Sequence, residues 1–408
     1  MTGAAPGRGA GTTAAHVARR PRAEVPRRLR DVLCLEDFES LARRHLPRPL
    51  FGYVAGSTER GDAQAANVDA LNGFSLVPRV LVDVSARQQR RSLFGVEYDH
   101  PFGIAPMGLS AAIAMDGDVT MAAAARAAGI PFVLSASSLT RLERVAEAGA
   151  RWYQAYLPGD PERIAALVDR VDAAGYDVFV LTVDVPVAAN RENNIRNGFD
   201  IPLRPSLSLA WQGLTHPRWL FGTAARTLLR HGMPHFENMD AVRGPPILSR
   251  NLVRAVGSRD QLTWKHAQMI RSRWKGRFVV KGILDAADAR RAADLGADGV
   301  ILSNHGGRQL DGAVAPLAVL PDLAGQLGDT AIMIDGAFRR GSDVLKALAM
   351  GADFVFVGRP FLYAAAVAGR AGVAHAIGLL GSEIDRNMAL LGVDALHALT
   401  PGHLARGE

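Results

Sequence analysis

With 408 residues, 48% of them hydrophobic, the chain is long enough for one large domain or two ordinary ones around a sizeable core. Its single cysteine, Cys34, excludes an intramolecular disulfide framework and a cysteine-based metal cluster, and points to a reducing compartment. The formal charge of +7 does not mark a nucleic-acid binder, because Arg8, Arg19, Arg20, Arg22, Arg27, Arg28 and Arg30 stand against only Glu24 and Asp31 in the first stretch and leave the body nearly balanced.

Residues 1–32, rich in Gly, Ala and Arg, have too little apolar surface to order themselves and read as a disordered basic tail. The same Arg-rich, acid-poor composition is also that of a cleavable targeting peptide. No apolar run approaches the roughly 20 residues that cross a bilayer. Folding is expected to begin near Cys34, where Leu35, Phe38, Leu41 and Ala42 have helical spacing. A short apolar element, Phe51 to Ser57, carries Tyr53.

From residue 101 short apolar runs alternate with Ala-rich helical patterns. The runs are Phe102–Pro106, Phe132–Ser135, Trp152–Tyr156, Val178–Asp184, Phe278–Lys281, Val300–Ser303, Ile332–Asp335 and Phe354–Gly358. Between them helices are expected over 117–128, 138–148, 160–174, 262–274, 285–295, 316–327 and 341–350, with a further pair from 361. Near-continuous hydrophobic strands alternating with helices indicate a parallel sheet covered by helices. Eight such units predict an α/β fold, a (β/α)8 TIM barrel over 33–400, with an N-terminal helical segment. No G-x-G-x-x-G follows the first strand, so an open dinucleotide-binding sheet lacks its main support.

The fourth and fifth runs are separated by an insertion, 190–261, far longer than ordinary barrel loops. Within it Leu220, Phe221, Ala224, Ala225, Leu228 and Leu229 form an apolar stripe, with Arg218, Arg226 and Arg230 beside it. Two readings of residues 217–231 stand side by side: an amphipathic helix lying on an anionic membrane surface, or a lid packed on the barrel or a neighbouring subunit.

The unusual residues gather at the carboxyl ends of the runs, where a barrel places its chemistry. The most pointed stretch is Ser303-Asn304-His305-Gly306-Gly307-Arg308-Gln309-Leu310-Asp311, in which a titratable base and a fixed cation follow a buried strand. Asp335-Gly336-Ala337-Phe338-Arg339 and Gly358-Arg359 each precede a helix, and glycine, helix N-terminus and guanidinium together suit a phosphate. Asp335 beside them suits a polyol hydroxyl, so a phosphorylated polyol cofactor such as FMN meets both demands. Lys281 reads either as a cation facing a reduced flavin ring or as a Schiff-base lysine. Ser135, Gln154 and Thr182 are neutral donors and acceptors suited to a ring edge.

These motifs, with Leu181-Thr182-Val183-Asp184 followed by Arg191, Lys281-Gly282, and Phe338-Arg339-Arg340-Gly341-Ser342-Asp343, resemble the FMN-dependent L-2-hydroxy acid oxidase and dehydrogenase family over about residues 33 to 400. Leu214 to Trp219 and Arg230 to Pro234 are most similar to the branch of bacterial (S)-mandelate and L-lactate dehydrogenases. The resemblance implies oxidation of a mandelate- or lactate-like L-2-hydroxy acid to the 2-oxo acid, with His305 as base and flavin N5 as electron acceptor. It implies that Asp184 orients His305, that Tyr156 sits by the substrate hydroxyl, and that Tyr53, Tyr156, Arg191 and Arg308 bind substrate. FMN would be held by Pro106, Met107, Gly108, Ser135, Gln154, Thr182, Lys281, Ser303, Asp335, Gly336, Ala337, Phe338, Arg339, Gly358 and Arg359. Gly108 leaves room for a bulkier substrate, while Gly52, Met107 and Ala337 depart from the family's usual residues.

The resemblance further implies a homo-oligomer, a tetramer, with O2 or a quinone-like carrier as final oxidant. The expected location is cytoplasmic, extended to the inner face of the cytoplasmic membrane if 217–231 is membrane-seeking. The alternative from another class is a barrel that binds FMN or a phosphorylated ligand without turnover.

Overall fold

The structure is a computed structural model and describes residues 26–199, 207–249 and 259–407. Most of the expected tail, residues 1–25, lies outside the described residues. Its last residues, 26–32, are built into the fold instead, with Leu29 and Val32 buried in the main core. At the other end the chain continues past residue 400, and Leu404–Arg406 pairs antiparallel with Phe74–Leu76.

Eight parallel strands form the centre: β1 (Phe102–Ile104), β2 (Val133–Ser135), β3 (Trp152–Ala155), β4 (Val178–Thr182), β5 (Arg277–Ile283), β6 (Gly299–Leu302), β7 (Ala331–Asp335) and β8 (Phe354–Val357). From β2 to β8 each pairs with the next along the chain, and β8 returns to β1 through Val355↔Phe102 and Val357↔Ile104. The seam between β1 and β2 is a single parallel bridge, Ile104↔Phe132, with Ile104 N donating to Pro131 O at 2.9 Å. All eight expected runs are strands of one (β/α)8 barrel. Most of their residues are apolar and buried on both faces, as in β4, where all five positions are buried.

The barrel interior is packed rather than hollow. Val133, Trp152, Val180, Val279, Ile301, Met333, Phe354 and Phe356 form an inner cluster, and Phe94 stacks on Trp152 from below at 5.6 Å between ring centroids. That plug comes from the hairpin Arg91–Leu93 and Val96–Tyr98. The plug fills the lower end of the barrel, and the cavity at the carboxyl ends of the strands lies opposite it.

The covering helices follow the expected spacing. In Pro161–Ala173 the residues Ile164, Leu167, Val168 and Val171 are buried, and Asp160 caps the start by accepting from Glu162 N at 3.0 Å and Arg163 N at 3.2 Å. Two helices are shorter than expected. The 138–148 pattern is helical only over Leu142–Glu147, and the 316–327 pattern divides into Pro316–Val319 and a 3-10 turn, Leu320–Asp322, because Pro321 cannot continue the first. The expected pair from 361 is present as two helices within Arg359–Leu391, meeting at a kink at Gly369, whose φ is 57°. By length and composition this run is apolar enough to cross a bilayer, against the expectation that none is; it is a core element, packed on the helices Gly117–Ala127 and Leu35–His45.

The insertion is helical over 217–231, and of the two faces it is the opposite one to the apolar stripe that packs on the barrel. A π-helical stretch, Leu220–Ala225, rotates the sequence so that Thr223 and Thr227 face the barrel. Trp219 Nε1 donates to Ala112 O at 2.9 Å and Thr227 Oγ1 contacts Met115 Sδ at 3.3 Å. Phe221, Leu228 and Leu229 point away, with Leu229 87% exposed, and Trp211 and Leu214 are exposed beside them. Asn238 ties the returning segment to the barrel, accepting from Leu142 N and donating to Thr140 O, both at 2.8 Å.

Candidate active site

The chain after β6 is shaped to present one imidazole. His305, Gly306 and Gly307 all take left-handed backbone conformations, with φ of 59°, 64° and 72°. For a histidine that conformation costs about 1–2 kcal/mol, a strain met at sites where the surroundings over-determine the geometry. The surroundings do so here. Ser303 Oγ accepts from His305 N at 3.0 Å and from Lys281 Nζ at 2.8 Å, fixing the loop to β5.

The ring itself is held at both nitrogens. Nδ1 faces the Asp184 carboxylate at 3.0 and 3.1 Å, and Nε2 lies 3.2 Å from Tyr156 Oη. A proton on Nδ1, donated to Asp184, leaves Nε2 as the acceptor; this tautomer is assigned from the network. Burial holds the His305 pKa below the ordinary histidine value against the opposing pull of Asp184, and the Lys281 and Arg191 cations lower it further. Burial pushes the Asp184 carboxyl up, but the His305 cation, its hydrogen bond and Lys281 outweigh that and leave it below the usual carboxylate range. Tyr156 is raised, chiefly by burial and then by Asp184, so it stays a neutral phenol. The arrangement is a neutral base with a fixed counter-charge behind it.

Beside the imidazole stand guanidinium groups with no carboxylate against them among the described residues. Arg308 Nη1 donates to Gly56 O at 2.6 Å and its Cζ lies 5.1 Å from the Tyr53 ring centre. Arg191 donates to Arg308 O at 3.1 Å and to Gln309 Oε1 at 2.8 Å. Arg359 donates to Val54 O, Gly56 O and Gly306 O at 3.0, 3.1 and 2.9 Å. Burial lowers Arg308 to about 9, with Arg191 and Arg359 adding repulsion. Arg359 falls to about 10 for the same reasons, with Arg339 beside it. Cations held together among neutral carbonyls favour entry of an anion.

These residues line one cavity of about 700 Å³ at the open end of the barrel. Tyr53, Pro106, Met107, Gly108, Tyr156, Thr182, Arg191, Lys281, His305, Arg308, Asp335 to Arg339, Gly358 and Arg359 are in its wall. Asp184, Ser135, Gln154 and Ser303 are not; they sit directly behind, Asp184 against His305, Ser303 under Lys281, and Ser135 donating to Gln154 Oε1 at 3.0 Å. Lys281 pairs with Asp335 at 2.9 Å. The same amine donates to Ser303 Oγ, so its Nζ is held between β6 and β7. At Gly108 an added Cβ would stand 2.8 Å from Ser137 Cβ, so glycine is required there by packing as well as by space for a substrate. Ala337 is held at φ 61°, a conformation glycine adopts more readily.

Several participants escaped the sequence reading. Gln309 bridges Arg191 and the Asp184 backbone, donating to Asp184 O at 3.1 Å. Asn304 exchanges hydrogen bonds with Asn67 at 2.8 and 2.7 Å. Asp311 accepts from the backbone of Arg60, Gly61 and Ala63, each at 3.0 Å, and so fastens the Ser303–Asp311 loop to the N-terminal segment. Arg259 stacks over Tyr156 at 4.7 Å, and Phe199, Phe236 and Met239 close the cavity's outer side. Only Asn304, Gln309 and Asp311, inside the motif, carried a signal.

A family model described as FMN-dependent dehydrogenase matches residues 42–406. The chain belongs to this family. It is 38% identical over 384 residues to a putative L-lactate dehydrogenase of Mycobacterium tuberculosis, covering 93% of this chain and 91% of that one. It is 37% identical over 372 residues to the (S)-mandelate dehydrogenase of Pseudomonas putida, covering 91% and 93%. Among solved structures, that of a monotopic membrane protein, (S)-mandelate dehydrogenase, superposes with a TM-score of 0.84 at 35% identity, covering 92% of this chain and all of that one.

As an FMN-dependent dehydrogenase the protein must offer partners to a flavin ring, a polyol and a phosphate, and its donor set fits. Gln154 Nε2, Thr182 Oγ1 and Asp335 Oδ1 are buried at the ends of β3, β4 and β7 without a hydrogen-bond partner among the described residues. Buried polar atoms rarely stand alone, and a bound polar group satisfies them. Arg339 and Arg359, at the ends of β7 and β8, supply the charge a phosphate needs.

Proposed function

We propose that this protein oxidises an L-2-hydroxy acid to the corresponding 2-oxo acid with FMN, His305 acting as the base. The observation that carries the reading is the row Asp184, His305, Tyr156 at the edge of a cation-lined cavity. FMN, when bound, supplies the two-electron acceptor for the hydrogen leaving the substrate's α-carbon. His305 Nε2 takes up the accompanying proton, and Asp184 stabilises the imidazolium that results. Tyr156 Oη, already within hydrogen-bond reach of Nε2, fixes where the substrate hydroxyl or its oxyanion lies. Arg308 and Arg191 bind the carboxylate, with Tyr53 as a further donor, and their geometry orients the α-carbon.

Ser135, Gln154, Thr182, Lys281 and Ser303 would hold the ring edge, with Pro106, Met107 and Gly108 against its face. Asp335, Gly336, Ala337, Phe338, Arg339, Gly358 and Arg359 would hold the ribityl phosphate. A binding barrel without turnover is the weaker reading, since holding FMN requires neither the strained His305 nor Asp184 behind it.

The final oxidant in this reading is a membrane carrier such as a quinone, and the protein is peripheral on the cytoplasmic membrane as a homo-oligomer. Support comes from the exposed Trp211, Leu214, Phe221, Leu228 and Leu229 flanked by Arg218, Arg226 and Arg230, and from the monotopic neighbour. The test is anaerobic addition of glycolate, L-lactate and each mandelate enantiomer to the yellow protein, followed by air. Bleaching by an L-acid with slow recolouring supports both parts. Rapid recolouring with peroxide release refutes the carrier, and no bleaching by any 2-hydroxy acid refutes the reaction.

A further inference from the structure

The cations of the cavity can be matched one by one to anionic or electron-rich partners, and one remains. Under the proposed reaction Arg191 and Arg308 face the substrate carboxylate, Arg339 and Arg359 the cofactor phosphate, and Lys281 has Asp335. Arg259 has none of these. Its guanidinium lies 4.7 Å over the face of the Tyr156 ring, it lines the cavity, and it has no ion pair or hydrogen bond among the described residues. Asp260, its neighbour, is exposed and makes no ion pair with it. A half-buried guanidinium resting on an aromatic face retains most of its hydrogen-bonding capacity for whatever fills the space beside it.

The position of Arg259 defines what that occupant is. Tyr156 is the link: its hydroxyl touches His305 Nε2 and its ring face carries Arg259. Arg259 therefore stands one tyrosine ring away from the base, in the wall of the same cavity that holds Arg191 and Arg308. We infer that the substrate is a 2-hydroxy acid bearing a second anionic group on its side chain, a 2-hydroxy dicarboxylate in the simplest case, and that Arg259 receives the distal carboxylate. The apolar residues Phe199, Phe236 and Met239 line the same cavity and suit the methylenes between the two carboxylates. The site thereby departs from the apolar side chains of lactate and mandelate, the acids named in its relatives.

The inference rests on the hydroxy acid reaction proposed above, and the test separates the two. Holoenzyme is reduced anaerobically with length-matched pairs: (S)-2-hydroxyglutarate against (S)-2-hydroxypentanoate, and (S)-malate against (S)-2-hydroxybutanoate, with L-lactate and (S)-mandelate as references. The dicarboxylate of at least one pair should show a kcat/KM about 10- to 100-fold above its partner, the range of a charge-assisted hydrogen bond. R259M should remove that preference and R259K should keep part of it. Binding without turnover gives the second readout: 2-oxoglutarate should perturb the flavin spectrum at lower concentration than 2-oxopentanoate in the native protein but not in R259M. The inference is overturned if the monocarboxylate is preferred in both pairs or if (S)-mandelate exceeds every dicarboxylate. It is also overturned if R259M lowers both members of a pair equally, since Arg259 then acts only by positioning Tyr156. If no 2-hydroxy acid of either kind reduces the flavin, the underlying reaction has failed and this inference with it.

Discussion

Asp184→Asn tests the counter-charge behind the base. In the structure both carboxylate oxygens stand within 3.1 Å of His305 Nδ1. When His305 takes a proton, the new cation faces that carboxylate at a charge separation of roughly 4 Å, worth about 4 kcal/mol at an effective dielectric near 20. An asparagine keeps the shape and loses the charge, and its amide can donate to Nδ1 and so move the ring proton to Nε2, where it blocks the base. The expected loss is about 10³-fold in the rate of flavin reduction. The assay is anaerobic stopped-flow reduction at saturating substrate, with FMN content checked by absorbance so that cofactor loss is not mistaken for slow chemistry. Because Asp184 raises the His305 pKa, the residual activity should also persist to lower pH. A D184N variant that retains its FMN and reduces it within tenfold of the native rate would refute the role given to the ion pair.

Three further outcomes are expected from the same geometry. The base must be neutral to work and its pKa is lowered, so kcat/KM should rise with pH along an acid limb centred below the ordinary histidine value of 6.5; a limb above pH 7 contradicts this. Asp118 is fully buried against Ser138 and its pKa is raised by burial from 3.8 to about 6, so the folded state holds that proton more tightly than the unfolded chain. The native protein therefore loses about 3 kcal/mol from this group as pH rises from 4 to beyond 6, and D118N should be the more stable protein at pH 7.5 with the two converging near pH 4 in urea denaturation. Substituting Phe221 and Leu229, both exposed, with Asp should lower sedimentation with anionic vesicles at least about tenfold while leaving the fold intact, since each apolar side chain contributes about 1.5–3 kcal/mol when buried; unchanged sedimentation removes the helix from the membrane contact.

The barrel was legible because burial on both faces leaves little choice of residue. In β4 every position is apolar or a tip residue, and the same holds for β6 and β8. The site was legible where its residues concentrate in one loop, as in Ser303 to Asp311, where His305 and Arg308 line the cavity and Asp311 fastens the loop. The features that resisted reading depend on contacts between distant elements. Lys281 and Asp335 lie on β5 and β7, and neither residue announces the other. Arg259 comes after a segment without periodicity, and only its place over Tyr156 gives it meaning. The sequence left two readings of the insertion helix open, because an apolar stripe does not say which way it faces; the structure turns Thr223 and Thr227 to the barrel and leaves Phe221, Leu228 and Leu229 exposed. Asn238 sits in irregular backbone, where no pattern distinguishes a staple from an ordinary polar loop residue.

The most direct measurement compares the native protein with His305→Gln under anaerobic conditions, following the flavin absorbance after addition of an L-2-hydroxy acid that bleaches the native protein. Glutamine keeps a polar group near Tyr156 and Asp184 but cannot take up the proton. The account predicts a yellow, FMN-replete H305Q protein whose colour persists. Bleaching of H305Q at a rate near that of the native protein would contradict it.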